Sequence, residues 1–74
     1  MAGKLLPCSR GEFIRKLRQL GYNGPFAGGR HAYMTKPGSL PVTVPNPHKG
    51  DISVGLIAKI LRDAQIARDA FQNA

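Results

Sequence analysis

Gly28-Gly29-Arg30-His31-Ala32-Tyr33-Met34 is the stretch on which the reading of the fold turns. The two glycines permit a turn with positive φ, and His31 to Thr35 then reads as a strand. Lys36-Pro37-Gly38-Ser39 suits a type II turn, with proline second and glycine third. Leu40 to Val44 supplies the next strand, and Pro41 places its start at a sheet edge. Side chains along a strand alternate faces. Ala32 and Met34 therefore share one side, while His31, Tyr33 and Thr35 share the other.

Upstream, Ser9-Arg10-Gly11-Glu12 is a capping box in which the hydroxyl and the carboxylate each answer a free backbone amide. The spacing predicts a helix from about residue 10 to 20, with Phe13, Ile14, Leu17 and Leu20 on one face. Gly21 stands where a left-handed cap ends such a helix. Tyr22 to Ala27 reads as a short strand, which Pro25 restricts to an edge. Downstream, two prolines and a glycine make Pro45 to Gly50 an irregular loop. Asp51 or Ser53 caps a second helix. Its expected buried stripe is Leu56, Ile57, Ile60, Leu61 and Ala64, with Lys59, Arg62 and Asp63 outside. Ala67 to Gln72 adds a last helical turn or two that docks Phe71. This order predicts an α+β fold: a three-stranded antiparallel sheet with helices on one face. Ala32 and Met34 belong beneath the helices, which puts His31 and Tyr33 on the open face.

A chain of 74 residues makes one domain, residues 1–74, without repeats or linkers. A core of this size contributes only about 3–5 kcal/mol of net stability. With no tryptophan and five other aromatic residues, that core must be mainly aliphatic. The lone cysteine, Cys8, forms no internal disulfide and is too little for a zinc site. Together with the lack of a signal peptide or an 18-residue apolar span, this points to the cytoplasm and away from membranes. Eleven Lys and Arg against four Asp and Glu give a net charge of +7. Six of the cations are arginines, which suit phosphate and point to a polyanionic partner.

Three segments together resemble the HicA family, the mRNA interferase toxins of bacterial toxin–antitoxin pairs. They are Gly29-x-His31 entering a strand, Val42-Thr43-Val44-Pro45-Asn46-Pro47-His48, and Gly50-Asp51-Ile52 followed by a helix with Gly55-Leu56-Ile57-x-x-Ile60-Leu61. The likeness runs from about residue 9 to 71. It implies a double-stranded-RNA-binding-domain-like α-β-β-β-α fold, with His31 as the catalytic residue and a HicB-type antitoxin that covers it. Two positions depart from the family pattern. Arg30 stands where a small hydroxyl residue is common, and Met34 where an aromatic is frequent.

The chemistry follows from what RNA brings with it. The 2′-hydroxyl beside each phosphate is a built-in nucleophile, so a metal-independent endoribonuclease need only move protons and steady charge. Histidine, with an ordinary pKa of about 6.5, serves as a base near neutral pH. His31 is the expected base, with Arg30 or Lys36 on the phosphate. His48, Tyr33 and water are the candidate acids. His48 and Lys49 are further candidate RNA contacts near the amino end of the second helix, and Gly28 and Gly29 form the loop beside the site. The four acids show no pairing suited to a metal, and no cofactor is expected. The alternatives are a non-catalytic double-stranded-RNA-binding module and a domain that only binds protein.

Overall fold

The computed structural model describes residues 5–47 and 49–74. His48 lies outside the described residues. The elements follow in the order α1 (Arg10–Gln19), β1 (Asn23–Phe26), β2 (Ala32–Thr35), β3 (Val42–Val44), α2 (Val54–Asp63) and α3 (Arg68–Gln72). The sheet is antiparallel in the order β1-β2-β3. This is the α+β arrangement expected from the sequence.

The first helix begins and ends as its residues dictate. Ser9 Oγ accepts from the Glu12 amide at 3.1 Å. At the other end the Gly21 amide donates to Arg18 and the Tyr22 amide to Leu17, both at 3.0 Å. Gly21 has φ +95°. That is a complete Schellman cap, which satisfies carbonyls that the helix leaves over. In the strand that follows, Asn23 pairs with Thr35 and Phe26 with Tyr33. Three steps on β1 thus face two on β2, a bulge at Gly24-Pro25 on an edge strand, where proline is tolerated.

The strands are shorter than the sequence reading. β2 starts at Ala32, because His31 is still in the bend that follows the Gly29-Arg30 turn. β3 starts at Val42, after Pro41. The intervening turn is as expected: the Ser39 amide donates to the Lys36 carbonyl at 3.0 Å, with Gly38 at φ +76°.

Phe13, Leu17, Met34, Val42, Val44, Ile52, Ile57 and Leu61 form the fully buried centre between the helices and one sheet face. Phe71 closes it, its ring 5.5 Å from that of Phe13. Lys16 fixes α3 from below, donating to the carbonyls of Gln72 at 3.1 Å and Ala74 at 3.3 Å. One link is not visible in the sequence. Cys8 and Ile52 exchange backbone hydrogen bonds of 3.3 and 2.8 Å, which tie the approach to α1 to the approach to α2. Ser53 then caps α2 by accepting from the Leu56 amide at 3.3 Å, so Ser53 rather than Asp51 is the cap.

Leu56 departs from the expected buried stripe. It is 40% exposed, because it lies at the margin of the face centred on Ile57, Ile60 and Leu61.

Candidate functional site

Two glycines set the position of His31, each for a different reason. Gly29 takes φ +70° with open space where a Cβ would stand, which supplies the positive-φ residue of the turn. Gly28 provides clearance. A Cβ there would lie 2.6 Å from two carbons of the Tyr33 ring. The Tyr33 ring thus fills the space beside Gly28, whereas the space beside Gly29 is open.

His31 is exposed at the end of this turn. Among the described residues it has no hydrogen-bond partner. Its surroundings differ from the strand-parity expectation. Tyr33 and Met34 obey the alternation, one exposed and one buried, but His31 precedes the ladder and is not bound by it. It lines two hollows on the α2 side of the molecule. One, of about 370 Å³, lies between the β3 edge and α2, against Thr43, Pro45, Leu56, Lys59, Ile60 and Asp63. The other, of about 360 Å³, lies against Asn46, Pro47, Asp51, Ser53 and Leu56. Leu56 is common to both.

The other candidates divide around this point. Arg30 is adjacent and exposed, without an ion pair among the described residues. Lys49 is exposed in the loop before α2. Lys36 is at the far end of β2, five residues on, which the strand rise makes roughly 16 Å. Its ammonium sits over the Tyr22 ring, 5.5 Å from the centroid. Lys36 lines a separate hollow of about 680 Å³, which does not include His31. Lys36 is therefore not placed to share one phosphate with His31. Tyr33 turns away as well. Its ring lies beside Phe26, with centroids 5.6 Å apart, and it lines neither hollow of His31. That removes it from the candidate acids.

Leu56, Lys59 and Asp63 were not singled out from the sequence as site residues, yet they share the hollow with His31. The periodic signal was present: positions 56, 59 and 63 follow one flank of a helix. What it could not say is which strand end that flank would meet. Lys59 donates to Asp63 at 2.8 Å, which holds the Asp63 carboxyl below its ordinary range. Arg15 does the same to Glu12 through a side-chain hydrogen bond on the surface of α1. Burial pushes the Cys8 thiol up, with Glu12 adding to the effect. Among the described residues no three His, Cys, Asp or Glu side chains converge on a point, and no helix is long and apolar enough to cross a membrane.

The family described as HicA toxin of bacterial toxin–antitoxin matches residues 10–66, from the first residue of α1 to just beyond α2. The chain belongs to the HicA toxin family. It is therefore the toxin of a toxin–antitoxin system and has an antitoxin as its partner. The matched region contains the glycine turn, His31 and both of its hollows. No curated protein matches the chain.

Proposed function

We propose that this HicA-family toxin is a metal-independent endoribonuclease that cuts mRNA at His31 and is silenced by a HicB-type antitoxin seated over that residue, in the cytoplasm. The observation that carries the reading is the exposed imidazole, held at a glycine turn between two open hollows on a chain of net charge +7. Neutral His31 takes the proton of the 2′-hydroxyl as its oxygen attacks phosphorus. The Arg30 guanidinium meets the charge that builds on the phosphate oxygens. The P–O5′ bond then breaks, the departing oxygen takes a proton from water, and the hydroxide so formed takes back the proton held by His31, which restores the neutral imidazole. A 2′,3′-cyclic phosphate and a 5′-hydroxyl are the products. The exposed Leu56, which lines both hollows with His31, offers an antitoxin the apolar anchor that stable interfaces use.

Induced expression of the wild type should deplete mRNA within minutes. His31→Ala should lower cleavage by about 100-fold or more, since a positioned base contributes roughly 10²–10⁴. The purified protein should keep its activity in excess chelator. Intact mRNA under wild-type expression, or chelation as damaging as loss of His31, would overturn the reading.

A further inference from the structure

Phe26 and Tyr33 are large aromatic residues that the core does not use. Phe26 is 43% and Tyr33 37% exposed. They face each other as the last cross-strand pair of the β1–β2 hairpin, and the loop they close carries Gly28, Gly29, Arg30 and His31. Their rings are tilted at 43° to one another. Thr43, the partner of Tyr33 on β3, is exposed as well, so the row continues over the face of the sheet opposite the helices. Two arginines adjoin the hairpin that carries the pair. Arg30 lies in the loop, and Arg18 is held beside the hairpin by donating to the Gly24 carbonyl at 2.9 and 3.1 Å.

We propose that Phe26 and Tyr33 form a base-stacking site, which receives an unpaired base of the RNA next to the phosphate at His31. The site rests on the endoribonuclease reading and makes it more specific. Aromatic rings on a sheet, set among cations, bind single-stranded nucleic acid because every base has a flat π face and each step carries a phosphate. A duplex has no base free for the rings. The chemistry asks for the same thing: attack by the 2′-oxygen needs that atom, phosphorus and the leaving 5′-oxygen in line, which a regular A-form helix does not permit. A base lifted onto Phe26 and Tyr33 would leave its neighbouring phosphate free to turn at the open backbone of Gly29.

The test uses the full chain carrying His31→Ala, so that RNA stays intact. It is titrated with a short labelled single strand and with the same sequence closed into a perfect duplex hairpin, at one fixed salt concentration. The single strand should bind more tightly and quench tyrosine emission. Tyr33 is the reporter, because Tyr22 is buried and the chain has no tryptophan. Phe26→Leu and Tyr33→Leu keep apolar bulk but remove the flat face. Each should weaken single-strand binding by about 5- to 150-fold, the equivalent of about 1–3 kcal/mol per stacked base, and leave duplex binding unchanged. Absence of quenching overturns the site without any ring variant being made, and so does equal loss on both RNAs. Retained RNA affinity with lost antitoxin binding would assign the rings to the antitoxin and overturn it too. If duplex and single strand bind alike while cleavage persists, this site fails and the nuclease stands. If no RNA binds in any form, both fail.

Discussion

A Cβ on Gly28 would sit 2.6 Å from the Tyr33 ring, closer than side-chain carbons approach in a folded protein. Gly28→Ala must displace that ring and disturb its packing on Phe26. An overpacked contact of this kind costs about 1–3 kcal/mol, which denaturant titration would register. The same variant made in a Tyr33→Ala background should cost much less, since the clash has gone. Equal costs in the two backgrounds would mean that Gly28 is needed for its backbone conformation instead. The glycine pair was legible in the sequence as a turn, and Gly29 confirms it with φ +70°. The role of Gly28 was not legible, because the atoms that it makes room for lie five residues away on the paired strand.

At the scale of elements, α2 begins and ends on different terms. Its start is conventional, a serine accepting from the Leu56 amide. Its end is a Schellman cap, with the Gln65 amide donating to Arg62 at 3.1 Å and the Ile66 amide to Leu61 at 2.8 Å. The left-handed position is Gln65 at φ +58°, the one non-glycine positive φ among the described residues. That backbone costs an L-residue with a side chain roughly 1–2 kcal/mol. Glycine removes the strain but loses more entropy on folding. Gln65→Gly is therefore expected to raise stability by up to about 1 kcal/mol, read as a higher unfolding midpoint in denaturant. A lower midpoint would show that the Gln65 side chain makes up for its own strain. The helix bodies were readable from periodicity and caps. The strand ends were not, because they fall where pairing stops: β2 begins and β3 ends at the Ala32–Val44 pair, and β3 begins at Val42, opposite Met34.

The whole molecule presents an unbalanced charge to any partner. Among the described residues, Glu12 and Asp63 are each occupied by a neighbouring cation, while Arg30, next to His31, and Lys49, in the loop before α2, remain exposed. RNA affinity should fall steeply as salt rises, with log K falling linearly against log salt, by about 0.7 per phosphate contacted on a single strand. Arg30→Ala should flatten that slope by roughly one contact. A slope near zero would argue against binding through phosphate.

Much of this protein follows from local order in the chain. Capping residues, the 3.6-residue period and the proline–glycine turn are each decided within a few positions, which is why the α-β-β-β-α order and most of the core could be read directly. The residues Gly29-x-His31 also marked the site that we propose. Tertiary structure alone decided what His31 faces. Strand parity assigned it to the open side with Tyr33, but the turn ends one residue late, so His31 falls outside the ladder and lines a hollow together with Leu56, Lys59 and Asp63 of α2. That encounter depends on the Cys8–Ile52 bridge and on the packing of Ile57 and Leu61, which set where α2 lies. These are contacts between distant positions, and no local pattern encodes their geometry.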